Sequence, residues 1–348
     1  MTKAAKLPSA LKAPAVTLKS LASHLGLTAG TVSSVLNNSP ASRSIPERTR
    51  TRIFEAARQF NYRPNFLARS LRVQRSYTIG VLAEEIGDAY GATVISGVET
   101  LLRKNNFLFL TVAHRHDYKL MRSYSQMLLT RGVEGIISID TSIDEQPTLP
   151  TVAIAGHQLV ANVTNIVIDH QRAASLVLQH LFDLGHRHIA FFRGPSFSSD
   201  SVPRWNAIQE VAAKLSLSIH PQLIVQLEDT PNNSEIGNLP ARALLSSKVP
   251  FTALFAYNDT SAVGAMTIFR QAGLSVPNDV SVVGFDDIAI ASFTTPALTT
   301  VHQPLREMGT IAAQTLLDRI ENRAPFIPEI SLSPNLIIRK STCRARQL

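Results

Sequence analysis

From Thr78 onwards the chain alternates short apolar runs with helix-period patterns, and no other feature limits its fold so tightly. Thr78 to Leu82 is followed by a stripe of Val94, Val98 and Leu101, Phe107 to Val112 by Tyr118 to Leu129, and then comes Gly135 to Ile139. The alternation resumes with Ala174 to Leu184, His188 to Phe192, Asn206 to Leu215, Thr252 to Phe255, Ala262 to Gln271 and Val280 to Val283. Strand and helix in alternation imply a mostly parallel sheet covered on both faces. About 270 residues of this exceed what one core usually supports, so two doubly wound lobes are expected.

Composition narrows the class further. The 348 residues carry 34 Lys and Arg against 26 Asp and Glu, and 45% are hydrophobic, which argues against global disorder. A lone cysteine, Cys343, excludes a disulfide framework and any Cys-based zinc or iron–sulfur site. The apolar runs are far shorter than the roughly 20 residues of a membrane-spanning helix. Pro8, Lys12 and Pro14 interrupt the region where a signal peptide needs an apolar core. A soluble, cytoplasmic protein is expected.

The net charge of +8 is unevenly shared. Residues 1 to 75 hold 13 basic and 2 acidic residues, a net of +11; the remainder holds 21 and 24, a net of −3. A basic segment on a slightly acidic body is the electrostatic footprint of a nucleic-acid-binding module attached to something else. Within it, Thr17 can cap a helix with Leu18, Leu21, Ala22 and Leu25 on one face, which Gly26 stops. Thr28 can cap a second, with Val32, Val35 and Leu36 on its stripe and Asn37 and Asn38 at its end. Two short helices joined by a tight turn form a helix-turn-helix, whose second helix enters the major groove. Ser44 and Glu47 stand at capping-box spacing before a third helix bearing Ile53, Ala56, Ala57 and Phe60. Beyond Pro64, Asn65 can start a helix of only two turns, too short to be stable without a surface to dock on.

The run Val16 to Lys19, Gly26 to Thr28 and Thr31 to Asn37, with Tyr62-Arg63-Pro64-Asn65 and Ala68-Arg69-Ser70-Leu71, resembles the DNA-binding head and hinge helix of the LacI/GalR family of bacterial transcription regulators. The resemblance continues through Leu184 to Ala190, Tyr257-Asn258-Asp259, Gly273 to Asp287, Leu298 to Val301 and Ile338 to Thr342. It implies an N-terminal all-α helix-turn-helix head with hinge helix, followed by an α/β two-lobed periplasmic-binding-protein-like effector domain of two doubly wound parallel sheets. The implied division is a disordered basic tail over 1–15, the head over 16–63, hinge and linker over 64–76, and an effector-binding and dimerisation domain over 77–348. Its N-lobe covers about 77–168 and 303–332, and its C-lobe about 169–302 and 333–348. Implied DNA contacts are Thr17, Thr28, Ala29, Gly30, Thr31, Ser33, Ser34, Asn37 and Tyr62 in the head and Asn65, Ala68, Arg69, Leu71 and Arg72 in the hinge, with Leu71 wedged into the minor groove.

Two departures bear on DNA reading. Ser34 stands where the family usually has arginine, and Ala29 and Gly30 fill the first exposed positions of the second helix. An arginine–guanine pair is worth about 1–3 kcal/mol of discrimination, so direct readout is expected to be weak and DNA deformability more important. The Ser39 to Ile45 loop is longer than the family norm and adds Arg43.

A sugar-binding cleft needs carboxylates and amides for hydroxyl pairs, an arginine fork and an aromatic wall, all on loops after strand carboxyl ends. Candidates are Asp88 and Tyr90, His157, Asp169, Arg204, Phe255, Asn258 and Asp286. Asp259 and Asp287 read as caps of helices or loops. Gly156-His157 replaces the family's Asp-Arg and Trp205-Asn206-Ala207 its glycine-bearing segment, which makes a standard hexose less certain.

His114, His116, Asp117, His170, His186 and His188 form no hydrolase elbow, phosphate loop or zinc-protease pair. Adjacent loop histidines such as His114 and His116, without a third ligand, are usually solvent-facing. Neither catalysis, a cofactor nor a metal is expected. The expected protein is a homodimeric repressor on a pseudo-palindromic double-stranded operator, controlled by a small-molecule effector, a sugar or sugar derivative, with no membrane partner. The alternative, a periplasmic-type binding protein without DNA binding, fits residues 78 to 342 but not the basic head.

Overall fold

The computed structural model describes residues 16–62, 70, 74–141, 143, 145–228 and 236–347. The tail over 1–15 and most of the hinge, including Asn65, Ala68, Arg69, Leu71 and Arg72, lie outside the described residues. The chain divides into two compact units, Met1–Ser76 and Tyr77–Leu348. Among the described residues no helix is long and apolar enough to cross a membrane.

The first unit is helical. Helix α1 spans Leu18–Leu25, with a capping box between Thr17 and Ser20 and Gly26 in the left-handed region at φ 66° as its stop. Helix α2 spans Ala29–Leu36, its first turn held by the Thr31 N–H donating to the Thr28 hydroxyl, and α3 spans Glu47–Gln59. Leu21, Ala22, Val32, Val35, Ile53 and Ala56 close a small core. The expected Ser44–Glu47 capping box does not form. A 3-10 turn over Pro40–Ser44 absorbs Ser44, whose hydroxyl donates to the Ala41 carbonyl at 2.9 Å, and Pro46 precedes α3 without a side-chain cap.

The second unit holds two six-stranded sheets. The first contains β1 (Thr78–Ala83), β2 (Leu108–Ala113), β3 (Ile136–Ile139), β4 (Thr151–Ile154), β5 (Val163–Ile168) and β11 (Glu329–Leu332), all parallel in the order β11-β5-β4-β3-β1-β2. The second contains β6 (Ile189–Arg193), β7 (Ile224–Gln226), β8 (Ala253–Phe255), β9 (Ser281–Asp286), β10 (Thr299–His302) and β12 (Asn335–Ile337), in the order β12-β10-β9-β8-β6-β7 with β12 antiparallel.

Helices cover these sheets as the alternation requires. Helices α4 (Ala89–Lys104), α5 (Tyr118–Thr130) and α11 (Leu305–Ile320) serve the first sheet. Helices α6 (His170–Asp183), α7 (Ser201–Lys214), α8 (Asn238–Ser246), α9 (Asp259–Gln271) and the short α10 (Ile290–Phe293) serve the second. Because α11 and β11 return to the first core after β10, the chain passes between lobes more than once. Strands β4 and β5 were not visible as alternation. They pair in parallel across a connection over residues 155–162 that has no helix, where a crossover helix is usual.

Candidate effector cleft and nucleic-acid interface

The carboxyl ends of strands from both sheets surround a cavity of about 300 Å³. The segment after β1 brings Glu84, Asp88 and Tyr90; β3 brings Asp140; the segment from β6 into α7 brings Phe197, Ser198, Asp200 and Arg204; β8 brings Tyr257 and Asn258; β9 brings Asp286. This is where an open α/β sheet places its ligand loops.

Arg204 projects from the first turn of α7 and is 4% exposed. Its Nη2 donates to Asp200 Oδ2 at 2.9 Å and its Nη1 to the Tyr257 carbonyl at 2.6 Å, and its guanidinium lies 3.7 Å from the Phe285 ring centroid. Burial alone would raise the Asp200 carboxyl, but His170, His157 and Arg204 together hold it well below the usual carboxylate range. Asp286 is pushed well above that range, first by burial and then by the charge of Asp259, although Gln303 donates to it at 2.7 Å. Asp140 is pushed up to about 7 by burial and by the charges of Asp200 and Glu84, against hydrogen bonds from Ser198 and Ser199. The Tyr90 hydroxyl is buried with no hydrogen-bond partner among the described atoms and is pushed upward by burial and the nearby acids. A buried hydroxyl left unpaired at a cavity wall is what a polar ligand would satisfy.

Of the effector candidates, Asp88, Tyr90, Arg204, Asn258 and Asp286 share this wall. Asp88 also caps α4 by accepting from the Gly91 N–H at 2.8 Å, and Asn258 caps α9 with Ser261. The other three candidates lie off the wall. Phe255 is 2% exposed within the second lobe's core beside Phe191, because its side of β8 faces that core. Asp169 caps α6 by accepting from the Arg172 N–H at 2.8 Å. His157 is turned onto Asp200.

Asp259 accepts from the Ile288 N–H and the Thr300 hydroxyl, while Asp287 is held by His302 and Arg339. The His114 pair departs from the expectation: His114 is 4% exposed and bonds Thr141 at 2.8 Å, while His116 pairs with Glu84 and stacks on Phe197. Sequence reasoning missed Asp140, Ser198, Asp200 and Tyr257. The first polar residue after the Gly135 to Ile139 run was the available signal for Asp140.

In the helical unit, Ala29 and Gly30 are exposed at the start of α2, and Thr31 and Ser34 are half-buried. Thr28 is engaged in capping, as is Thr17 on α1. Ser33 does not present itself to a partner: it is 7% exposed, and its hydroxyl and carbonyl accept from the Asn37 amide. Tyr62 packs half-buried against the small core. Arg43, Arg48, Arg52 and Arg58 are exposed around it.

A basic helix-turn-helix unit joined to a two-lobed cleft domain defines a two-part transcription regulator. Residues 17–65 match the family described as bacterial regulatory proteins, lacI family, and residues 178–342 match the periplasmic binding protein-like domain. The ribose operon repressor of Haemophilus influenzae is 30% identical over 331 residues, covering 93% of this chain and 98% of that protein. The transcriptional repressor PurR of Photorhabdus laumondii is 30% identical over 334 residues, covering 93% and 96%. The lac repressor dimer bound to operator and an anti-inducer superposes with a TM-score of 0.83 at 25% identity, covering 94% of this chain and 99% of that one. The chain belongs to the lacI family of bacterial regulatory proteins, and it is a DNA-binding transcription regulator.

Proposed function

We propose that this protein is a homodimeric, non-enzymatic cytoplasmic repressor that binds a pseudo-palindromic operator and releases or grips it in response to a small polyhydroxylated effector. The observation that carries the reading is the cavity between the two sheets. Its wall combines Arg204, the carboxyls of Asp88, Asp140 and Asp286, the Asn258 amide and the rings of Tyr90, Phe197 and Tyr257, a set suited to hydroxyl pairs and an apolar ring face. Support comes from the relatives: a ribose operon repressor is similar along nearly the whole chain, and a CelR–cellobiose complex matches with a TM-score of 0.68 at 25% identity. Affinity control follows from linkage, since an effector can shift operator binding only by its differential affinity for two states of the protein.

The proposed DNA contacts are Thr17, Thr28, Ala29, Gly30, Thr31, Ser34, Asn37 and Tyr62 with the hinge residues Asn65, Ala68, Arg69, Leu71 and Arg72. The proposed effector contacts are Asp88, Tyr90, Asp140, Arg204, Asn258 and Asp286. The test is selection of duplexes from a random pool by the full chain, followed by gel shifts with sugars, sugar acids and nucleobases. Enrichment of a palindromic site is expected, with one class of compound changing its affinity. Arg204→Ala and Asp286→Ala are expected to lose that response while the site is still bound. Failure to enrich any sequence would overturn the regulator reading, and a response confined to nucleobases would overturn the polyol.

A further inference from the structure

Beside the effector cavity, three side chains from three separate segments converge. His157 comes from the connection after β4 in the first lobe, His170 is the first residue of α6, and Asp200 immediately precedes α7 in the second lobe. Both imidazoles direct Nε2 at the same Asp200 oxygen, His170 at 3.2 Å and His157 closer. The three donor atoms lie within 4.8 Å of one another, and the rings are 5.4 Å apart between centroids. His170 and Asp200 are 7% and 5% exposed.

Two imidazole nitrogens and one carboxylate oxygen converging on one point are a donor set for a borderline divalent metal such as zinc. The outer shell of the carboxylate fits as well. Asp200 Oδ2 is held by Arg204, which is fixed in turn by the Tyr257 carbonyl, the kind of second bond that orients a ligating carboxylate. His170 Nδ1, on the far side of the ring from the donor nitrogen, and Arg204 Nε are buried without partners among the described atoms. Glu84, Asp140 and Asp286 line the adjoining cavity.

We propose that His157, His170 and Asp200 form a zinc-type metal site that ties the β4 connection of one lobe to the α7 terminus of the other, making the metal a co-ligand of the effector cleft. The site holds the lobes through direct coordination, so occupancy of the metal and of the cavity are linked.

The experiment titrates the full chain, stripped with a chelator, with Zn(II) by calorimetry and with Co(II) by visible absorption. One ion per chain with a micromolar or tighter Kd and Co(II) ligand-field bands are expected. His157→Ala, which removes a ligand itself, should weaken binding by more than the roughly 10–100-fold that follows loss of an outer-shell partner. His157→Cys, which keeps a ligand at that position, should restore binding and add a thiolate-to-cobalt charge-transfer band. His116→Ala, at the other histidine pair, should leave the stoichiometry unchanged. Circular dichroism confirms that each variant is folded. Absence of Co(II) ligand-field bands at stoichiometric metal, or Zn(II) binding that His157→Ala does not weaken, would overturn the site and leave Asp200 as the acceptor of two imidazole protons only.

Discussion

Replacing Asp140 by Asn should make the protein more stable above neutral pH and leave it nearly unchanged in mild acid. Asp140 sits at the end of β3 in the left-handed region at φ 43°, a conformation that Asn tolerates well. Its carboxyl accepts from Ser198 Oγ at 3.1 Å and from Ser199 Oγ at 3.0 Å, yet burial and the charges of Asp200 and Glu84 push it up to about 7. In the unfolded chain it titrates near 3.9. Between those values the native state holds a proton that the unfolded state has lost. Stability is therefore full below about pH 4 and is lost as pH rises to about 7. At 1.36 kcal/mol per pH unit the gap sets a ceiling of about 4 kcal/mol, and partial contact with cleft water reduces this to about 2 kcal/mol. The amide never ionises, so the variant should gain roughly that amount at pH 8 relative to the parent and show little difference at pH 4.5. Urea melts followed by the fluorescence of the single tryptophan, Trp205, in the second lobe's core, supply the assay. Asp286 and Asp259 keep some slope in both proteins, so the readout is the difference between them. Equal pH slopes for parent and variant, or a variant less stable at pH 8, would refute the reasoning.

Ile53→Ala removes a fully buried side chain from the small head core and should cost about 2–5 kcal/mol there. DNA binding should be lost while the Trp205-monitored urea transition stays in place. Gly97→Ala puts a methyl onto the Arg306 carbonyl at the crossing of α4 and α11, and Gly309→Ala puts one onto the Val94 carbonyl of the same contact. Each should destabilise the cleft unit by about 1–3 kcal/mol in calorimetry, and the double variant by less than the sum because one helix separation relieves both clashes. DNA affinity should fall steeply with salt, with a log–log slope near −0.9 per phosphate neutralised; a salt-independent affinity would remove the exposed arginines from the interface.

What could be read from the chain before its structure depended on how local the signal was. Thr17, Thr28 and Gly26 declare the ends of α1 and α2 within three or four residues, because capping is a local exchange of hydrogen bonds. Ser44 carried the same pattern and failed, since the 3-10 turn that ends on it engages its hydroxyl with the Ala41 carbonyl three residues earlier. In the cleft, Arg204 and Asp286 were legible through a family resemblance, and Asp88 and Asn258 follow strands as ligand residues should. Asp200 was not. Its partners His157 and His170 lie 43 and 30 residues away; the packing of α6 beside α7 brings His170, and only the apposition of the two lobes brings His157. Phe255 shows the opposite error: a residue next to the right loop, but on the side of β8 that faces the core.

The head poses a different problem, because its second helix offers little with which to read bases. Thr28 is occupied in holding the first turn, Ser33 is buried under the Asn37 amide, and the exposed Ala29 and Gly30 carry no donor or acceptor in their side chains. The positive charge lies elsewhere, on Arg43 after α2 and on Arg48, Arg52 and Arg58 of α3. Contacts of that kind fix affinity and register but carry no sequence information. On the proposed contacts, discrimination among sites rests on Thr31, Ser34 and Asn37, on the backbone approach that two small residues permit at the groove, and on the ease with which the DNA deforms. Ala29→Arg is the perturbation that separates these terms. It adds a guanine-reading fork and should sharpen preference at one base position by about 1–3 kcal/mol. A helix that already read bases through Ala29 would instead lose its preferred sequence.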